Sequence, residues 1–403
     1  MLDNARTRDD TFRPLADRLP TWFWFALGIT GFAAEQIHQK KRFKIVQATF
    51  CPDGRGPYKC YAGRIGEVAC EGKIDVGGYT KQRSNYMNKY LVVFFFLLLS
   101  ANLGGCSRTA LFEKAIAYER ESAHLSVKTQ DLSFGKVAYL SNNKSDKEAV
   151  VVMLHGFGAD KDTWVRFARE LGDNYRFIIP DLPGHGESSQ DISFNYGIQE
   201  QAKRLNEFLS NINAEKVHIV ANSMGGAVAL RFTFMHPDTV KSLTLIDSLG
   251  AIKTPSDMDE LTKVSGKNPM LEIGNSDDYK AMMNYAMVKP PYIPWFLIDV
   301  LAEAKIKRKD LEQKMLKDMV VDADQTAILA EIHVPTLIIW GKQDKVLHVD
   351  NAGLFHEKIS GSRVVLLDET GHVPMVERAK ETAQHFRGFL KDVAPNPDNV
   401  MKK

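Results

Sequence analysis

The most specific chemical feature of this 403-residue chain is a serine set between a strand-like run and a run of small residues, Val217-His-Ile-Val-Ala-Asn-Ser223-Met-Gly-Gly-Ala-Val. A sharp strand-to-helix turn of this kind exposes a nucleophilic hydroxyl and tolerates only small side chains two residues to either side. Ala221 and Gly225 occupy those positions. A serine hydroxyl is a poor nucleophile until a base takes its proton and an acid orients that base. Later in the chain come the candidates. His372 lies in Asp368-Glu-Thr-Gly-His-Val-Pro, and Asp344 in Trp340-Gly-Lys-Gln-Asp-Lys-Val. Asp247, directly after Leu243-Thr-Leu-Ile246, is a rival for the acid. An attacked carbonyl becomes an oxyanion, which needs preorganised N–H donors. The backbone of Met224 offers one, and the loop His155-Gly-Phe-Gly158 offers another through Phe157. His218 falls inside a strand-like run and reads as a packing residue, and the loop Asp181 to Ser188 reads as structural support beneath the site.

These groups need a scaffold that brings distant parts of the chain to one edge. From about residue 126, short apolar runs alternate with amphipathic helical stretches, the pattern of a mostly parallel sheet covered on both faces. Val150–Leu154 is a continuous apolar run, as in a central parallel strand, and Phe177–Ile179, Val217–Val220, Leu243–Ile246, Leu337–Trp340 and Val364–Leu367 follow. Ile198–Leu209 and Ala227–Met235 are helical in pattern, the latter stopped by Pro237. Each chemically loaded loop follows a strand, the edge at which open α/β sheets bind ligands. Residues 250–330 break the alternation and are too long for a structureless loop, so a helical cap is expected there. It contains Met258, Met270, Met282, Met283 and Met287, then Lys289-Pro-Pro-Tyr-Ile-Pro-Trp-Phe296 and a charged amphipathic stretch, Ala302–Val321. The methionines suit either an acyl-chain pocket or packing of the cap onto the sheet.

The N-terminal part is different in kind. Residues 1–86 hold 14 Lys+Arg against 9 Asp+Glu, whereas the other 317 residues hold 38 against 41, so the overall charge of +2 is a cancellation. A balance this close to zero argues against nucleic acid as the main partner. The apolar run Trp22–Ala34 is too short to cross a bilayer, and Cys51, Cys60 and Cys70 lack zinc-ligand spacing. This extension is expected to be disordered or the product of an overlong gene model, with translation starting at Met87. Lys89, the run Leu91–Leu99 and the exit Leu103-Gly-Gly-Cys106 then form a secretory signal peptide over 87–105. Leu-Gly-Gly-Cys resembles the lipobox of bacterial lipoproteins, which implies lipidation of Cys106, a tether over 106–125 and a catalytic domain over 126–403. In that resemblance Ser107 after the cysteine implies the outer membrane, with a periplasm-facing domain.

From about residue 125 to 392 these motifs together resemble the α/β-hydrolase superfamily. Within it NSMGGA, NPMLE…KPPYIPWF and IIWGKQDKVL…ETGHVPMVE are similar to bacterial lipoprotein lipases of the psychrophile type and to monoacylglycerol lipases. The resemblance implies hydrolysis of acyl-ester lipids through a seryl ester, with no metal and no organic cofactor. Ser223 would attack, His372 would move the proton, Asp344 would fix the His372 tautomer, and Phe157 and Met224 would hold the oxyanion. Expected partners are an acyl-ester substrate and a membrane reached through the lipid anchor, with the oligomeric state open. Two alternatives stay open: a carbon–carbon bond hydrolase of ring-cleavage products, and a lipid-binding protein of the same fold without turnover.

Overall fold

A computed structural model describes residues 58–62, 68–73, 105–144 and 149–393. Two units are present. In the first, β1 (Tyr58–Ala62) and β2 (Val68–Lys73) pair antiparallel, with Cys60 opposite Cys70 in the register. The rest of the 1–86 extension and the signal segment 87–104 lie outside the described residues. Among the described residues no helix is long and apolar enough to cross a membrane. The 106–125 segment, expected as a tether, is helical from Gly105 to Ser122 (α1), and Cys106 falls in its first turn. Arg120 fastens the end of this helix, its Nε and Nη2 each donating at 2.6 Å to the Asp162 carboxylate.

The second unit carries an eight-stranded sheet. In chain order its elements begin with β3 (Ser126–Leu132), β4 (Gly135–Ser141), β5 (Ala149–Leu154), α2 (Val165–Leu171), β6 (Tyr175–Pro180), α3 (Ile198–Asn211), β7 (Val217–Ser223), α4 (Met224–Met235) and β8 (Val240–Ser248). Four cap helices follow: α5 (Asp257–Ser265), α6 (Ser276–Ala286), α7 (Trp295–Lys307) and α8 (Lys309–Met319). The chain then returns to β9 (Thr336–Gly341), α9 (Asp350–Lys358), β10 (Arg363–Leu367), the single turn α10 (Pro374–Glu377) and α11 (Ala379–Val393). The strand order is β10-β9-β8-β7-β5-β6-β4-β3. All neighbours from β6 to β10 are parallel, and only β4 runs against its neighbours β3 and β6. The expected mostly parallel α/β sheet is therefore the observed one. Its antiparallel edge was unmarked in the sequence, because Ser126–Leu132 is too polar to stand out as a strand.

Period-two alternation along the central strands explains the two-sided core. Val150, Val152 and Leu154 of β5 point to the face covered by α3 and α4, while Val151 and Met153 point to the face covered by α2 and α11. Amphipathic α3 buries Ile198, Ala202, Leu205, Phe208 and Leu209, and α11 buries Ala383, Phe386, Phe389 and Leu390. The α4 helix is apolar over Met224–Leu230 because that part lies wholly inside, whereas Arg231 and Phe234 reach outward near its end. It ends at Met235, just before Pro237. The expected charged stretch 302–321 is divided between α7 and α8, which turn at Arg308. Met258 and Met270 pack against the main core, so packing is an observed role of the cap methionines.

Candidate active site

At the end of β7, Ser223 has φ 53° and ψ −122°, and α4 starts at the next residue. A non-glycine residue in such a conformation costs on the order of 1–3 kcal/mol and persists only where the surroundings impose it. The surroundings here are backbone and one serine side chain. A Cβ on Gly225 would lie 2.5 Å from the Leu154 carbonyl oxygen and 2.6 Å from that of His155, and one on Gly226 would lie 2.0 Å from Ser248 Oγ. Small residues after the serine thus let α4 start directly against the ends of β5 and β8. Ala221 is fully buried, which accounts for its size.

The His155–Gly158 loop after β5 abuts this turn: a Cβ on Gly156 would be 3.1 Å from the Ser223 Cβ. His155 holds the loop in shape. Its Nδ1–H donates to the Gly156 carbonyl at 2.8 Å, and its Nε2 accepts the Leu182 N–H at 3.0 Å. Burial lowers the His155 pKa despite the Asp181 carboxylate, and burial together with His155 lowers that of His185 further, so neutral imidazoles fill this corner. Phe157 meets His185 edge-on at 6.1 Å, with Lys305 of the cap 5.9 Å from its ring centre. Lys305 is paired with Glu312 at 2.7 Å. The Asp181–Ser188 loop is structural, as expected: the Asp181 carboxylate accepts from the Lys161 and Glu187 N–H groups and from Lys161 Nζ, each within 2.8 Å.

Asp344 and His372 come together. The Asp344 Oδ2 accepts His372 Nδ1–H at 2.8 Å, while its Oδ1 accepts the Val346 and Leu347 N–H groups at 2.8 and 3.0 Å. Three donors fix the carboxylate, and the carboxylate fixes the imidazole tautomer with the proton on Nδ1 and Nε2 free to accept one. The loops carrying these residues are in backbone contact: Lys342 N–H donates to Leu367 and Gln343 N–H to Thr370. This contact requires glycine at 341, where a Cβ would be 2.1 Å from the Gly371 carbonyl oxygen. Ser223 and His372 are linked through the chain: the Asn222 amide donates to the carbonyls of Ile246 and His372, both at 3.1 Å. No hydrogen bond joins the Ser223 and His372 side chains in this conformation.

Asp247, the rival acid, lies in the same place. It is wholly buried at the end of β8, and Asp247, Asp344 and His372 bring polar atoms within 4.8 Å of one another. His372 hydrogen-bonds Asp344 rather than Asp247, whose Oδ1 accepts the Gly341 N–H at 2.9 Å. Two carboxylates and an imidazole are metal-ligand types, but the Asp344 oxygens are already taken by the Val346 and Leu347 N–H groups and by His372. His218 is a packing residue as expected: its Nδ1 is 2.7 Å from Ser242 Oγ on the neighbouring strand, and burial pushes its pKa down to about 4.

Sequence reasoning missed the groups that tie the site to the cap. His372 N–H donates to the Ala286 carbonyl at the end of α6 at 2.7 Å. Glu377 accepts the Gly371 N–H at 2.9 Å through Oε1, and the Val288 and Lys289 N–H groups at 2.7 and 3.0 Å through Oε2. One carboxylate thereby holds the histidine loop and the cap loop together. A lone acid in a short helix gives no sign of this in the sequence.

The sequence profile of the alpha/beta hydrolase fold matches residues 149–270. Lipase 1 of Psychrobacter immobilis is 36% identical over 307 residues, covering 73% of this chain and 95% of the relative. A monoacylglycerol lipase of Xenopus laevis is 30% identical over 296 residues, covering 70% of this chain and 87% of the relative. The crystal structure of a membrane phospholipase A, described as a bacterial virulence factor, is similar with a TM-score of 0.70 at 32% identity. The similarity covers 77% of this chain and all of the other.

Proposed function

The chain belongs to the α/β-hydrolase family and is a hydrolase of the lipase and esterase kind, and on that premise we propose that it cleaves monoacylglycerol or related acylglycerol esters with Ser223, His372 and Asp344. The observation that carries this reading is the His372–Asp344 hydrogen bond, at the sheet edge where Ser223 has its strained turn. Ser223 Oγ attacks the ester carbonyl as His372 Nε2 takes its proton. Asp344 stabilises the imidazolium that forms. The N–H groups of Met224 and Phe157 receive the oxyanion. His372 then protonates the leaving alcohol, and water activated by the same imidazole releases the acid from Ser223. The Ser223–His372 hydrogen bond forms when substrate binds, since such bonds are often long or absent in unliganded sites.

The names of the relatives support a substrate with an acyl chain. Lipidation of Cys106 belongs to the same reading, because a lipid anchor holds the enzyme beside its substrate in a bacterial outer membrane. The test is hydrolysis by the full chain of p-nitrophenyl esters from butyrate to palmitate and of monoacylglycerol. Ser223→Ala is the control. Loss of activity by about a millionfold or to background is expected, and activity unaffected by Ser223→Ala overturns the mechanism. Labelled palmitate incorporated into the wild type but not into Cys106→Ser tests the anchor.

A further inference from the structure

Asp247 is a buried acid that the mechanism above leaves without a task. It lies at the end of β8, fully excluded from solvent, with φ 44°, a strained backbone for an aspartate. Its Oδ1 is occupied by the Gly341 N–H, while its Oδ2 is buried without a donor. A carboxylate oxygen in that state is costly, because it has lost water and gained nothing. The group within hydrogen-bonding reach is the Asp344 carboxyl. Asp344 is itself held by N–H donors from Val346, Leu347 and His372, so it is the member of the pair built to carry charge.

Besides Asp344, the titratable groups facing Asp247 are His372 and, farther off, Glu377, with Tyr285 of the cap beyond Asp344. Two acids and one imidazole thus share a buried cluster. Two ionised carboxylates in contact there would repel strongly, and like-charged acids at such distances share a proton. Burial pushes the Asp247 carboxyl well above the usual range, and the Asp344 charge pushes it the same way against the Gly341 N–H.

We propose that Asp247 is a positioning residue that remains a neutral carboxylic acid and donates from Oδ2 to Asp344, so that the pair presents one negative charge to His372. This role rests on the hydrolase mechanism given above. Without the proton, a second negative charge would stand beside the imidazole and favour its charged form, which cannot act as a base. Without the donor, Asp344 would lose one of the bonds that hold it toward Nδ1.

Asp247→Asn and Asp247→Val separate the possibilities. The asparagine amide reproduces both bonds, its oxygen accepting from Gly341 and its N–H donating to Asp344, and like the protonated acid it is neutral. The acidic limb of kcat/KM for p-nitrophenyl butyrate should stay within about 0.3 pH unit of the wild type in Asp247→Asn. A fall of that limb by about one unit or more means that Asp247 is charged, and overturns the proposal. The kcat of Asp247→Asn should exceed that of Asp247→Val by about tenfold, the effect of one hydrogen bond to a charged group. Equal loss in both variants also overturns it. Infrared spectra of the full-length protein labelled with carbon-13 aspartate supply a readout independent of turnover. A carbonyl stretch of a protonated carboxylic acid should persist at about pH 9, where Asp160 is ionised, and vanish in Asp247→Asn, and its absence from the wild type refutes the proposal. Should the wild type hydrolyse no ester, the function fails while the infrared band still decides the protonation of Asp247.

Discussion

Gly341→Ala should disable the site without touching any reacting atom. The added methyl would lie 2.1 Å from the Gly371 carbonyl oxygen and 2.5 Å from that of Thr370. Carbon–oxygen contacts in packed proteins rest at roughly 3.3 Å, so the two loops must part by about 1 Å. Neither side can yield by rotating a side chain, since both partners are backbone. The displaced loop carries His372 one residue beyond Gly371, and the stationary one carries Asp344, so the 2.8 Å bond between them takes up the shift. A misplacement of about 1 Å costs roughly a hundredfold in rate, and overpacking costs about 1–3 kcal/mol in stability. The assay is kcat/KM for p-nitrophenyl butyrate with the rate of fluorophosphonate labelling, beside thermal unfolding. Gly353→Ala and Gly388→Ala are matched controls, because a Cβ at either of these helical positions meets nothing within 4 Å. Each should be stabilising by about 0.5–1 kcal/mol. Gly341→Ala retaining a third or more of wild-type kcat/KM with unchanged Tm would refute the reasoning.

Glu377→Ala removes the acceptor of three backbone N–H groups that join the histidine loop to the cap. It should destabilise by about 2–4 kcal/mol and slow ester cleavage, and Glu377→Gln, which keeps acceptor capacity at one oxygen only, should fall between the two in urea unfolding. Asp160 caps the short helix at Lys161–Trp164, and burial, then the Asp162 and Asp181 carboxylates, raise its pKa from 3.8 to about 7. A carboxyl raised on folding binds protons more tightly in the native state, so its ionisation removes stability as pH rises from about 4 to 7. Asp160→Asn should therefore unfold at a higher temperature than the wild type at pH 8, by on the order of 1 kcal/mol after allowance for its partial exposure. The gain should vanish below pH 4. A gain of equal size at both pH values would point to a cause other than charge.

Legibility in the sequence followed the range of the interactions. The β5, β7 and β9 strands were readable because both faces are buried, which demands the unbroken apolar runs Val150–Leu154, Val217–Val220 and Leu337–Trp340. The turn at Ser223 was readable because crowding by backbone at Gly225 and by the Ser248 side chain at Gly226 restricts residue type within four positions of chain. The β3 strand was not, since an edge strand exposed on most of its length carries no apolar signature. Glu377 and Asn222 escaped notice because their partners lie far away in sequence, 88 to 89 residues off for the cap loop and 150 for His372.

The two aspartates show where reading by sequence reaches its end. Asp247 lies at the end of a strand and Asp344 just beyond one, both are buried, and both come within 4.8 Å of His372, so neither order along the chain nor proximity distinguishes them. What distinguishes them is the count of N–H donors. Asp344 receives the Val346 and Leu347 amides besides His372, a consequence of the tight turn after Gly341, whereas Asp247 receives only the amide of Gly341. A buried carboxylate is tolerable in proportion to the hydrogen bonds it accepts. Two more donors therefore make Asp344 the acid that is better held, and in the structure it is Asp344 that holds the histidine. That choice is written in the fold of one loop, which no composition or spacing discloses.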